Sequence, residues 1–243
     1  MKLLIDIGNT ACKFSYLKDS ELIYIGRLYN KEVNFDSVSS LIKEYQGNEV
    51  YISSVAPKIS QNIVSILNKK EITNIKFVSI KDNHKIKINI DDENELGVDL
   101  LCDLIGAKET YGNKLAIIDF GTATKILFID ERGTFSSCSI FLGFEKSKNI
   151  LSSSTELLPD VNHIDIKPIS KCHNTVDVIN TSAYYSQLFT IEGIINKYEE
   201  EVGYKLKRIF TGGNAINFIN ELGKENYDEF LLMKGLAIIS KGE

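Results

Sequence analysis

The chain is poor in the residues that interrupt or staple a fold, and it carries no excess of positive charge. Only 3 prolines occur in 243 residues, and no low-complexity tract is long enough to read as disordered. Cys12, Cys102, Cys138 and Cys172 lie far apart with no Cys-x-x-Cys pair, and His84, His163 and His173 bring no ligand spacing beside them. A zinc site is therefore not expected, and a reduced compartment is. Nowhere do about 18 uninterrupted apolar residues occur, and Asp6 interrupts the first apolar run before it reaches signal length, so the expectation is a cytoplasmic protein without a membrane span. A net charge of -5 implies no broad basic surface, which argues against a general nucleic-acid binder. What remains, 43% apolar and 25% charged, is an ordinary globule long enough to bury a substantial core.

Against these absences one pattern is present, and it is used twice. Leu3 to Thr10 is an apolar run that ends in Asp6, Ile7, Gly8, Asn9 and Thr10. Leu3, Leu4, Ile5 and Ile7 suit a strand covered on both faces, where Asp6 is tolerated only if a cation or donor meets it. Gly8 permits a tight turn and close approach to a ligand. Asn9, Thr10 and Lys13 then supply the small polar groups and the cation that oxygen-rich anions require. Ala116 to Thr124 repeats the arrangement with Asp119, Gly121 and Thr122. Either copy alone is read equally well as a structural Asp-Gly turn, but the repetition favours two related halves, residues 1–113 and 114–243. Hairpins facing each other across a cleft, each with a carboxylate for a hydrated metal ion and donors for phosphate, would hold a nucleotide's phosphates.

The rest of the chain alternates strand and helix patterns. Strands are expected at 14–17, 21–28, 50–54 and 75–80, and helices at 37–45 and 59–67, which describes a mixed α/β sheet with crossover helices. The charged stretch 81–95, with isoleucines at 86, 88 and 90, reads as a strand leading to an exposed loop. Gly97, Val98 and Asp99 open an apolar helix, in which Asp99 sits in the first turn and serves equally well as a cap. Strands follow at 115–118 and 125–130, a strand or loop at 137–144, and a polar helix up to Leu158. A long helix over 176–194 has Thr175 as its expected N-cap and a possible break near Thr181 and Ser182. Arg208 to Asn214 reads as a strand ending in Gly212 and Gly213, whose bare backbone leaves room for a flat ligand. A helix is expected at 215–222, and a helix or strand-helix pair at 229–239.

In combination, Asp6-x-Gly8-Asn9-Thr10 with Lys13, Gly97-x-Asp99, Asp119-Phe120-Gly121-Thr122-Ala123, Asn174-Thr175 and Thr211-Gly212-Gly213 resemble the type III pantothenate kinases, of the acetate and sugar kinase, Hsc70 and actin superfamily. No Gly-x-x-x-x-Gly-Lys phosphate loop is present, as that resemblance requires. The resemblance implies two ribonuclease H-like halves, each a mixed sheet with flanking helices, with a nucleotide cleft between them. It also implies phosphorylation of pantothenate by ATP with Mg2+, the first step towards coenzyme A, in a homodimer with a monovalent cation, K+ or NH4+, near the nucleotide. By position, Asp6, Gly8, Asn9, Thr10, Lys13, Gly121, Thr122, Gly212 and Gly213 would bind ATP. Asp6 and Asp119 would serve metal ions, and Asp99 would accept the proton. Gly97, Val98, Asp99, Leu100 and Thr175 would face pantothenate.

The sequence departs from the family's pattern mainly on the acceptor side. Leu100 stands where the family has arginine, Ile90 where it has tyrosine, and Lys125 where it has threonine. Loss of a guanidinium on a substrate carboxylate removes a contact worth roughly 1.5 to 3 kcal/mol. Two readings follow. In one the chain is a working kinase whose substrate carboxylate meets another cation, with Lys125 as a candidate. In the other it is a nucleotide-binding relative with altered or lost acceptor specificity, acting as a regulatory or interaction protein.

Overall fold

The computed structural model describes residues 1–242. Its elements run β1 (Lys2–Ile7), β2 (Ala11–Lys18), β3 (Glu21–Tyr29), α1 (Phe35–Leu41), β4 (Glu49–Ser54), α2 (Pro57–Lys69), β5 (Ile75–Phe77), β6 (Lys87–Ile88), α3 (Val98–Tyr111), β7 (Leu115–Phe120), β8 (Ala123–Ile129), β9 (Thr134–Leu142), α4 (Phe144–Ser153), α5 (Thr175–Val202), β10 (Lys207–Thr211), α6 (Ile219–Leu222) and α7 (Leu231–Lys241). Two mixed sheets with flanking helices result, ordered β3-β2-β1-β4-β5 and β10-β7-β8-β9-β6. The run β3-β2-β1-β4 of the first sheet matches β9-β8-β7-β10 of the second, strand for strand in sequence order. In each, a meander of three strands is joined by a fourth that pairs parallel with the first. This is the duplication that the repeated Asp-x-Gly pattern announces.

Contacts divide the chain into two compact units. The first comprises 1–113, 129–136 and the chain from Phe230 onward, and the second 114–128 and 137–229. The sequence reading divides the chain once, between 113 and 114, whereas the contacts group 129–136 and the chain from Phe230 with the first unit. Gly106 of α3 and Gly235 of α7 let those helices pack backbone to backbone; a Cβ at Gly235 would meet the carbonyl carbon of Cys102 at 2.6 Å. The turn at 129–136 is tied down by β6, in the register Lys87 with Thr134 and Ile88 with Phe135, and by Asn113 Nδ2 donating to the carbonyl of Glu131 at 3.2 Å.

The strand period of two decides what each face carries. Along β1, Leu3, Ile5 and Ile7 join Val38, Ile63, Ile66 and Leu67 of α1 and α2 in one apolar cluster. Leu4 points the other way and packs with Cys102 of α3 and with Met233, Leu236 and Ala237 of α7. Asp6 shares the parity of Leu4 and so projects to the α3 side. Along β7, Ala116, Ile118 and Phe120 pack with Leu188, Ile191 and Ile195 of α5, which leaves Asp119 on the opposite face. Both carboxylates thus lie on the face of their sheet turned away from its crossover helices.

Several boundaries differ from the sequence reading. Helix α1 stops at Leu41, and a turn closed by Tyr45 N donating to the Ile42 carbonyl at 3.0 Å replaces its expected last turn. Strand β5 ends at Phe77 because Ser79 and Asp82 form a capping box that starts a 3-10 turn. Helix α4 ends at Ser153, short of Leu158. Helix α5 runs unbroken through Thr181 and Ser182, and its N-cap is Asn174 rather than Thr175, since the Asn174 side chain accepts from Asp177 N at 2.9 Å. No helix among the described residues is long and apolar enough to cross a membrane.

Candidate functional site

In the first unit, β1 delivers Asp6 to the edge of a turn built by Gly8, Asn9 and Thr10. Asp6 is 7% exposed, while Asn9 and Thr10 stand in solvent. Gly8 N donates to Ala11 O at 3.1 Å, and Lys13 lies directly across from Asp6 in the β1/β2 register. Asn30, just past β3, clamps this turn. Its side-chain amide donates to the Gly8 carbonyl at 3.0 Å, its backbone N–H donates to Thr10 O at 3.0 Å, and its Oδ1 accepts from the Cys12 thiol at 3.6 Å. The sequence reading missed Asn30, because a lone asparagine in a loop carries no pattern.

Helix α3 brings the second motif to the same place. Gly97 is its N-cap, and Asp99 lies in its first turn with the carboxylate folded back over Gly97, where a Cβ would collide with it. One helical turn below, Cys102 is fully buried. Burial drives its thiol far above the ordinary range, and the carboxylates of Asp6, Asp103 and Asp99 push it the same way. Burial, followed by Asp6, also lifts the Cys12 thiol to about 12. Asp103, the residue after Cys102, is itself 2% exposed, and Asp6 shares with Leu4 the face of β1 that packs on Cys102. The sequence reading missed Asp103; its four-residue spacing from Asp99, one helical turn, is the signal that could have found it. Leu100 is buried and Ile90 half-buried, so neither supplies the polar group that the family has at its position.

In the second unit the same turn recurs. Gly121 N donates to Ala123 O at 3.2 Å, and Asn214 clamps the turn as Asn30 clamps the first, with its side chain donating to the Gly121 carbonyl at 3.4 Å and its N–H to Phe120 O at 3.0 Å. Gly212 adopts φ +93 against β7, where a Cβ would meet Phe120 N at 2.6 Å, while Gly213 has nothing within 4 Å of the same position. Gly143 closes on the turn from β9, its N–H donating to Thr122 O at 3.2 Å. Gln187, buried on α5, braces the hairpin by accepting from Thr124 Oγ1 at 2.7 Å and donating to Leu142 O at 2.8 Å. Thr175 is exposed at the start of α5, beside a tight group in which Lys167 Nζ and Asn174 Nδ2 each bond Asp177 at 2.8 Å. Lys167 holds the Asp177 carboxyl below its usual range.

Two expectations meet this geometry differently. Mg2+ carried on ATP needs only one or two carboxylates besides phosphate and water, and Asp6, recessed beside an exposed turn with no side chain at Gly8, suits that demand. The monovalent cation assigned to Asp119 does not fit. Lys125 Nζ lies 2.8 Å from Asp119 Oδ2, with the two side chains 19% and 14% exposed, so the carboxylate already carries a cation. The same contact engages Lys125, the candidate for the substrate carboxylate, with Asp119.

Twin Asp-x-Gly hairpins on duplicated mixed sheets, with a third carboxylate on a helix N-terminus beside the first, define a phosphate-handling α/β protein of two related halves. A family model described as type III pantothenate kinase matches residues 2–197. The type III pantothenate kinase of Sulfurihydrogenibium sp. is 28% identical, aligning 99% of this chain with 100% of that protein. The enzyme of the same name from Bifidobacterium animalis subsp. lactis is 30% identical over 98% of each. A Baf family protein from Campylobacter jejuni has a similar fold, with a TM-score of 0.61 at 20% identity over 98% of this chain and 97% of that one. The chain belongs to the type III pantothenate kinase family, a family of kinases that phosphorylate pantothenate on the way to coenzyme A.

Proposed function

We propose that the chain carries out its family's reaction with ATP as donor, through Asp6 as the carboxylate for nucleotide-borne Mg2+ and Asp99 as the acceptor of the substrate hydroxyl proton. Phosphoryl transfer asks little covalent chemistry of a protein. It asks for positioning, for neutralisation of phosphate charge and for one base in line with the attacking hydroxyl. Gly8, Asn9, Thr10 and Lys13, with Gly121 and Thr122, are the donors assigned to phosphate, and Gly212 and Gly213 offer bare backbone to the nucleoside. Bound Mg2+ would neutralise charge on the phosphate oxygens. Gly97, Val98, Asp99, Leu100 and Thr175 are assigned to pantothenate, with Leu100 contributing apolar surface only. What supports this reading is that Asp6 lies on the face of β1 that packs, through Leu4, on Cys102, a residue one helical turn from Asp99 in α3. We also infer a homodimer, for which exposed Ile140, Leu142 and Phe189 offer apolar area; light scattering measures it.

Removal of a positioned general base lowers turnover by about 10² to 10⁴. In Asp99→Asn, pantothenate-dependent ADP release should fall by that factor while calorimetric ATP affinity stays near that of the parent. Buried Leu100 favours a second reading, in which the protein binds ATP but has lost or changed its acceptor. ATP binding with no ADP release on pantothenate, in parent and variant alike, would establish that one and defeat the first.

A further inference from the structure

We propose that Lys125 is a built-in substitute for a soluble monovalent cation at Asp119, so that nucleotide binding and turnover by this chain need no added K+ or NH4+. The inference rests on the nucleotide site described above. A lysine side chain ends in an alkylammonium, which presents to a carboxylate the same charge and N–H donors as NH4+. Here it lies 2.8 Å from Asp119 Oδ2 with both side chains largely withdrawn from solvent, and it is attached to the next strand of the same hairpin. Its occupancy therefore does not depend on salt, whereas that of a free ion does. The first hairpin places Lys13 across from Asp6 in the same manner, so each carboxylate of the pair has a lysine of its own on the adjoining strand.

The backbone around Asp119 is arranged to keep this ion pair in place. Gly212 packs so closely that a Cβ there would lie 2.5 Å from Asp119 Oδ1, and Gln187 pins Thr124, the residue before Lys125. A second monovalent cation brought to the same oxygens would meet the ammonium at short range and be repelled. Lysine at position 125 thus trades a regulable ion for a permanent charge.

The test compares ATP affinity by calorimetry and pantothenate-dependent ADP release in buffers whose only monovalent cation is tetramethylammonium, then with KCl or NH4Cl added. The parent should give the same affinity and rate in all three. Lys125→Met keeps the length of the side chain and removes the charge, so in tetramethylammonium its Kd for ATP should rise by about tenfold or more, and K+ or NH4+ should restore it. Lys125→Thr, which adds a hydroxyl ligand, should show the same rescue and covers the case in which the methionine variant fails to fold. A parent that binds ATP tightly only with K+ or NH4+ overturns the inference, and so does a loss in both variants that neither ion repairs. Absence of pantothenate turnover in every buffer defeats the proposed reaction instead, and ATP affinity then still decides the role of Lys125.

Discussion

The two hairpins share one plan, yet each is finished in its own way. Both begin with a buried strand whose odd and even residues face different layers, and both end in a carboxylate, one apolar residue and glycine. Both turns are held by an asparagine that donates its side-chain amide to the glycine carbonyl and its backbone N–H to a neighbouring carbonyl. In the second hairpin Asp119 is neutralised by Lys125 of the next strand. In the first, Lys13 stands across from Asp6 in the strand register, and Asp6 lies on the face of β1 that packs against α3, the helix that carries Asp99. Lys125 is locked to its carboxylate within the hairpin, whereas Lys13 lies next to an exposed turn. The roles proposed above divide along the same line, with Asp6 and Asp99 for Mg2+ and the proton in the first unit and Gly212 and Gly213 for the nucleoside in the second.

The sharpest way to break that division is to unseat each carboxylate through the glycine behind it. Gly235→Ala would push a methyl into the Cys102 backbone and force α7 off α3, the helix that carries Asp99. Gly212→Ala would demand a left-handed conformation, φ +93, of a residue with a Cβ, against the Phe120 backbone. Overpacking of this kind destabilises by about 1 to 3 kcal/mol, and rigid backbone on both sides places Gly235 at or above the top of that range. In a chain of this size each kcal/mol lowers Tm by roughly 2 to 4 °C. Thermal unfolding measures both losses. The division further requires Gly212→Ala to weaken ATP binding more than turnover at saturation, and a folded Gly235→Ala protein to do the opposite. Equal effects of the two variants on Kd and kcat would erase the distinction.

What the sequence disclosed and what it withheld follow from the range of the interactions. The hairpins were visible because strand, carboxylate and glycine are neighbours in the chain, and so was Asp99, because a first-turn carboxylate after glycine is a local pattern. The pairing of Gly106 with Gly235 was hidden, since nothing near Gly235 announces a helix more than a hundred residues away, and with it the membership of α7 in the first unit. Asn30, Asn214 and Gln187 were hidden for the same reason: a single polar residue gains meaning only from the carbonyl it meets. Thr175 was mistaken for the cap of α5 because either residue of Asn174-Thr175 can cap, and only the bond to Asp177 N decides between them. Lys125 was visible as a departure, but its partner emerged only when the hairpin placed it beside Asp119.

A milder test removes the clamps. Asn30→Ala and Asn214→Ala each delete a neutral side-chain hydrogen bond worth about 0.5 to 1.5 kcal/mol. The Asn30 bond is the shorter, at 3.0 Å against 3.4 Å, and its Oδ1 also accepts from Cys12, so Asn30→Ala should be the more destabilising in denaturant titration. If the turns act independently, the double variant should lose the sum of the single losses. A coupling energy well outside that sum would mean that the hairpins respond as one element, and the comparison between them would have to be redrawn.

The smallest effect expected separates the units by acid. Glu199 on α5 is 5% exposed and accepts from Lys205 Nζ and, at 2.9 Å, from Leu206 N. Burial pushes its carboxyl upward, but the ammonium and the amide pull harder, and the net position lies below the ordinary 4.5. A carboxyl depressed in the folded state contributes stability that is present above 4.5 and is lost as pH falls through the folded value. Glu199→Gln should therefore lower Tm by a constant amount near neutrality, and that gap should close as the pH drops below 4.5. The second unit should loosen first in acid. Tyr198, next to Glu199, stacks on Phe128 at 4.0 Å, and the part of the near-UV signal that Tyr198→Phe removes from a chain with 11 tyrosines and no tryptophan reports on that contact. A Tm gap that stays constant into acid would show that Glu199 acts by shape rather than by charge.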